Sequence, residues 1–361
     1  MSSEKSVRVG LSLAPLDTLF FRDGRPFEAA TQAESGLPQP QTVAGSLRTW
    51  LLREAGCDFA GLAEAVGAGK SFKEALSENQ PAQATAVGRV EFRGPWFALH
   101  GEPVITVPAI LHSIEETGEV IRLAPLENVP LPGWSPPEPG MLPVWVRDTR
   151  RTKRLEGYLS WKGIGVFLRG EVPSRDEILS PDELFEHDRR TGIAVDPDSL
   201  SAEEGMIYGV SLLALKPGVT LYVEAVGPER VLNLFTAQPT PVPLGGEGRF
   251  VALRKVTPAA WPSVHPANGQ GTLLLLTSPA FFEARWRPEN LPLAAAAVSG
   301  YVAVSGWDLA RRGPKPNRFA APAGSVYFIN QVLDPLPSSL CKGEDAALGW
   351  GTFLEGVWNH V

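Results

Sequence analysis

Apolar and polar positions alternate through "VRVGLSLAPL" (7–16), the period of a strand that buries one face. The spacing then changes. In "QTVAGSLRTWLLREAG" (41–56), Val43, Leu47, Trp50 and Leu51 recur at helical intervals on one face, and Gly56 supplies the stop. "GRVEFRGPWFAL" (88–99) and "PVITVPAIL" (103–111) read as paired strands. "APLENVPLPGWSPPEPGMLP" (124–143) carries too much proline for either regular element and predicts a surface loop.

The pattern restarts in the second half. "GMIYGVSLLALKPGVTLYVEAVG" (205–227) is two apolar runs about Lys216-Pro217-Gly218 and predicts a hairpin, followed by a short helix in "PERVLNLFTA" (228–237). Strands are predicted at "RFVALRKV" (249–256), "GTLLLLTS" (271–278), "AAAAVSGYVAVSGW" (294–307), "GSVYFINQV" (324–332) and "WGTFLEGVW" (350–358). Many strands and few helices, restarting midway, predict an α+β protein of two split βαβ modules, residues 1–200 and 201–361. Sequence identity between the halves is too weak to establish a repeat.

Size agrees with two domains, because 361 residues exceed what one hydrophobic core serves. The 34 prolines and 36 glycines add many turns to an otherwise ordinary globular composition. No apolar stretch is long enough to span a bilayer, and "MSSEKSVRVG" lacks the regions of a signal peptide, so a cytoplasmic location is expected. Cys57 and Cys341, the only cysteines, form no metal-ligand spacing, and no metal or cofactor is expected.

Net charge is −7, which alone disfavours a nucleic-acid binder, but the acid is concentrated. Residues 171–205 hold 11 acids against 3 arginines, a local −8, which leaves the rest of the chain at +1. Basic clusters stand elsewhere, in "RDTRRTKR" (147–154) and "RRGPKPNR" (311–318). Local patches, not totals, set the footprint for a polyanion.

Several catalytic signatures fail. "GAGKS" (67–71) lacks the earlier glycine of a phosphate-binding loop, since Glu64 stands there, and "LAEAV" before it reads as helix instead of strand. The five histidines are scattered without ligand spacing, including the one in "EHD" (186–188). No nucleophile elbow or recognisable Cys–His pair is present. What remains combines glycine, aromatics and arginine. "LGGEGRF" (244–250) offers Gly245 and Gly246 for close backbone approach beside Arg249, and "GWGTFLEGVW" (349–358) offers Gly349, Gly351 and Gly356. Taken singly, each is an ordinary turn or bulge.

Their order changes the picture. "PLDTLFFRDGRPF", "PQPQTVAGSLRTWLL", "HDRRTGIAVD", "GMIY", "LGGEGRF", "SGW" with "PKPNRFAAPAGSVYF", and "GWGTFLEGVW" together resemble the third-subunit family of the Cmr complex, the type III-B CRISPR effector, within the RAMP superfamily. The resemblance implies two ferredoxin-like, RNA-recognition-motif-like modules with antiparallel sheets, long loop insertions and a C-terminal glycine-rich loop. It further implies a non-catalytic subunit that grips the repeat-derived 5′ tag of the guide RNA and docks against the large Palm-containing subunit and a backbone subunit. Glycine backbone, arginine and aromatics are the means by which single-stranded RNA is held, and none needs an acid–base pair.

Residue by residue, Arg22 and Arg25 flank the turn "RDGR" and are expected on tag phosphates, with Asp23 orienting Arg22 or accepting from the RNA, and Phe20 and Phe21 anchoring the loop. Arg48 follows Ala44, Gly45 and Ser46, small residues at a helix start that permit close approach. Arg189 and Arg190 stand in an acidic setting where internal pairing competes with RNA. Lys315 and Arg318 precede a strand and are expected on phosphate. Two alternatives stay open. One is a metal-independent endoribonuclease of the RAMP kind using His112 or His187 as general base; the other is an adaptor that touches only protein.

Overall fold

The first strand, Ser6–Pro15, lies between two antiparallel neighbours: Val219–Pro228, in register from Ser6↔Pro228 to Leu13↔Leu221, and Phe250–Val256, from Gly10↔Val256 to Pro15↔Val251. Strands two hundred residues apart in sequence therefore close the same core. The structure is a computed structural model and describes residues 5–22, 32–127, 132–195, 202–267, 269–308, 313–330 and 336–359. Contacts divide the chain into two units, neither of them a contiguous half: Met1–Pro95, Leu184–Pro258 and Val304–Arg318 form one, and Trp96–Glu183, Ala259–Ala303 and Phe319–Val361 the other.

In the first unit, strand Ser6–Pro15, helix Pro40–Glu54, residues 91–95 of strand Glu91–Leu99, strand Val219–Pro228, helix Glu229–Leu232 and strand Phe250–Val256 follow in chain order. Numbered by appearance, the strands run fourth, first, third, second across the sheet. Helix Pro40–Glu54 starts with proline, whose fixed φ suits the first turn, and stops before Gly56 at φ +72°. It buries Val43, Leu47 and Leu51, as the periodicity predicts, while Trp50 is half-buried and stacks on Phe235. "GAGKS" joins helices Phe59–Gly67 and Phe72–Ser77, and Ser71 caps the second one reciprocally with Glu74.

The second unit repeats the strand order. Strand Gln270–Leu276 lies between Phe353–Asn359 and Val326–Ile329, with Leu293–Ala297 outermost, and all three pairings are antiparallel. Its core includes Leu273, Leu274, Leu275, Tyr327, Phe328 and Trp350. Helix Trp161–Leu168 packs on Phe353–Asn359, and the half-buried Arg122 fastens the joint by donating to the carbonyls of Phe167 (2.7 Å), Glu171 (3.2 Å) and Val357 (3.3 Å). Burial brings the Arg122 pKa down to about 10.

Three expectations are corrected. The 205–227 segment is not a hairpin: Ala202–Leu215 pairs with the preceding Phe185–Val195, while Val219–Pro228 enters the sheet of Ser6–Pro15. The turn exists, with Val219 N–H donating to the Lys216 carbonyl, but Val219–Pro228 is largely buried on both faces and suits an interior strand. The acidic 171–205 segment, expected among the loop insertions that the resemblance implies, contains helix Pro181–Leu184 and the whole of strand Phe185–Val195. "PVITVPAIL" breaks after strand Glu102–Thr106, and a new strand begins at Leu111. Within 124–143, the described residues form turns apart from the two-residue strand Ala124–Pro125, as the proline content predicts.

Candidate nucleic-acid interface

The chain leaving Ser6–Pro15 is tied down one residue at a time. Leu16 N–H donates to the Phe250 carbonyl, and Leu19 exchanges both backbone bonds with Leu213. Phe20 and Phe21 are buried, and hydrogen bonds hold their backbone: the Phe20 carbonyl accepts from Gly246 N–H at 2.7 Å, Phe21 N–H donates to Ser35 Oγ at 2.9 Å, and the Phe21 carbonyl accepts from Gly36 N–H. The aromatic pair is thus the anchor that the sequence predicts. Arg22, the next residue, is exposed. Asp23 and Arg25 lie outside the described residues.

Two further segments arrive at the same place. The turn "LGGEGR" is stapled to Phe20 because Gly245, at φ +81°, leaves no room for a Cβ: one would stand 2.4 Å from the Phe20 carbonyl oxygen. The close approach predicted for Gly245 and Gly246 is therefore to the chain's own backbone and not to a phosphate. Arg249 leaves this turn and pairs with Asp17 at 2.6 Å, with its side chain only 19% exposed and its Nε buried without a hydrogen-bond partner. Strand Phe185–Val195 brings Arg190, whose partner Asp188 lies 2.7 Å away on the same strand face. Arg189, exposed, points to the opposite face of the strand by the same alternation.

Asp17 is the hub, and sequence reasoning missed it. The Thr18 backbone N–H holds its carboxyl below the usual carboxylate value, and the nearby charges of Arg249 and Arg190 act in the same direction against partial desolvation. A carboxylate in "PLDTLFFR" is visible in sequence, but its partners stand more than 170 residues away. The arrangement presents two guanidinium groups beside one exposed carboxylate. It suits an oxyanion that displaces Asp17, since guanidinium forks match phosphate geometry. Among the described residues no cluster of three or more His, Cys, Asp or Glu side chains is placed to hold a metal ion.

Other predicted site residues lie elsewhere. Arg48 is 7% exposed, packed in helix Pro40–Glu54 with its guanidinium 4.7 Å from the Phe72 ring centroid, so it serves the core and not an exposed helix face. Lys315 is exposed where its N–H donates to the Gly306 carbonyl, beside the start of that helix, where Gln41 Nε2 donates to the Ser305 carbonyl. Arg318 is exposed at the start of strand Arg318–Ala320.

The C-terminal glycines are also reassigned. Gly349 N–H donates to Ala346 and Gly351 N–H to Pro279, leaving neither for a phosphodiester. A Cβ on Gly351 would stand 2.6 Å from Cys341 N, and one on Gly356 would stand 2.9 Å from the Leu168 carbonyl oxygen. These glycines admit the second unit's own backbone.

The fold is similar to that of a chain in the solved Type III-B Cmr-beta complex bound to cognate target RNA, with TM-score 0.54, 18% identity, and 89% of this chain and 86% of that chain covered. A second such structure, bound to cognate target RNA and AMPPnP, gives TM-score 0.51 and 17% identity over the same shares. No curated protein matches the chain in sequence. The family described as CRISPR-associated protein (Cas_Cmr3) matches residues 11–358, nearly the whole chain, and to that family this protein belongs.

Proposed function

We propose that this chain is a non-catalytic subunit of a type III-B CRISPR effector complex and that its first unit grips the 5′ repeat-derived tag of the guide RNA. The observation that carries the proposal is the convergence of Arg190 and Arg249, from two distant segments, on Asp17, with exposed Arg22 five residues further along the Asp17 segment. Family membership and the likeness in fold to Cmr-beta chains support a place in such a complex. Its neighbours there are the large Palm-containing subunit and a backbone subunit, and the complex works in the cytoplasm. The shared strand order, fourth, first, third, second, supports ferredoxin-like modules in both units.

The endoribonuclease alternative draws less support. It rests on one observation, that desolvation lowers the pKa of the half-buried His112 and so keeps its imidazole neutral as a general base requires, whereas His187 is exposed. The test is the Arg190→Ala, Arg249→Ala double variant, co-expressed with its partner subunits and assayed for guide RNA in the purified complex. Guide occupancy falls if the proposal holds. Wild-type occupancy in a fully assembled double mutant withdraws it.

A further inference from the structure

The second unit contains a cavity of about 680 Å³ that the arginine cluster does not use. Its walls are Pro132–Trp134 and Pro143–Trp145, and its floor is the end of strand Leu293–Ala297 with Val298 and Ser299. Small residues at the end of this strand, Ala296 and Ala297, line the cavity. The walls are fixed by backbone bonds, Leu142 N–H to the Ala294 carbonyl and Leu126 N–H to that of Pro143, and by the pairing Ala124↔Trp145. The Pro-rich stretch thereby acquires a task, since proline holds it open with little conformational entropy to lose.

Two features of this cavity point to a ligand. Trp134 and Trp145 line it yet remain 41% and 57% exposed, large aromatic faces left in solvent at a concave site. At the rim stands Arg154, on strand Thr152–Arg154. It belongs to a run in which Arg147, Arg151 and Lys153 are also exposed, and these four cations have no ion-pair partner among the described residues. Arg150, by contrast, is engaged with Asp148 and Glu119.

We propose that this cavity accepts an unstacked base of single-stranded RNA, with the indoles as stacking faces and the 147–154 cations along the adjoining phosphates. The volume lies in the range of small-ligand pockets, about 300–1,000 Å³. A strand is favoured over a free nucleotide because the run that brings Arg154 to the rim carries three further exposed cations, more than one phosphate group engages, and over an apolar partner segment because that much positive charge selects a polyanion. The site uses no residue of the arginine cluster, so either proposal can fail without the other.

The test uses the full chain and a fluorescent uridine dodecamer carrying 4-thiouridine. Trp145→Ala is expected to weaken binding about tenfold or more, and Trp145→Phe to restore most of it. Irradiation should place adducts on peptides containing Trp134 or Trp145. The proposal is overturned if wild-type protein fails to bind the dodecamer, if Trp145→Ala binds as wild type does, if the adducts fall only elsewhere, or if free UMP competes as well as the strand. Should Trp145→Ala fail to fold by circular dichroism, Trp134→Ala and the wild-type adduct map decide.

Discussion

Asp17 and Arg249 form one ion pair, yet the account predicts opposite consequences for losing each partner. Asp17→Asn keeps the volume and an acceptor for the Thr18 N–H while removing the anion that competes with RNA for Arg249 and Arg190. The Asp17 side chain is 60% exposed and solvent screens the pair, so it is worth about 0.2–1 kcal/mol. Removing it should therefore tighten guide retention about 1.4- to 5-fold, by that same energy. Arg249→Ala removes a charged hydrogen bond to phosphate worth about 1.5–3 kcal/mol, a loss of about tenfold or more. The assay is guide dissociation from the assembled complex over a salt series, in which Arg249→Ala should also flatten the salt slope by about 0.7, the share of one single-strand phosphate contact. If Asp17→Asn loosens the guide as much as Arg249→Ala does, the pair is a structural brace and the displacement argument fails. Stability supplies a pH signature. Because the folded-state Asp17 pKa is lowered from 3.8, its contribution is present above that value and disappears as pH falls through the folded pKa, a loss that Asp17→Asn should not show.

Arg48→Ala should lower the melting temperature, by about 1–3 kcal/mol of lost packing, and leave guide retention unchanged; weakened retention in a stable variant would return Arg48 to the interface. Gly351→Ala should cost about 2–5 kcal/mol in denaturant unfolding, from strain at φ +70° and the clash with Cys341, whereas Gly45→Ala, whose added methyl meets open space in a helix, should stabilise by about 0.5–1 kcal/mol. Equal effects at the two glycines would contradict the packing role. Arg122→Met should destabilise by about 2–4 kcal/mol, because carbonyls of Phe167, Glu171 and Val357 lose their donor. An unchanged unfolding midpoint would show that water replaces the guanidinium.

Elements that depend on neighbours in sequence were legible. The face of Val43, Leu47 and Leu51, the strand Ser6–Pro15 and the anchoring of Phe20 and Phe21 all follow from period and local composition. What failed was information held by distant partners. Lys216-Pro217-Gly218 announces a reversal but not that its two strands join different sheets. A glycine's reason is whatever occupies the place of its missing Cβ, and for Gly351 and Gly356 those atoms belong to Cys341 and Leu168. Asp17 and Arg249 stand 232 positions apart, so their pairing has no local trace. Arg48 reads as a surface cation until the adjoining helix places Phe72 beneath it.

The central claim is that the guanidinium groups of Arg190 and Arg249, brought to Asp17 from two distant segments of the first unit, hold one end of a guide RNA. Its most direct test is photocrosslinking in the assembled complex, with 4-thiouridine placed at each position of the 5′ tag and the adducts mapped by mass spectrometry. The account predicts adducts in peptides spanning 17–22, 188–190 or 244–249 of this chain. Tag adducts confined to other subunits, with none in those peptides, would contradict it.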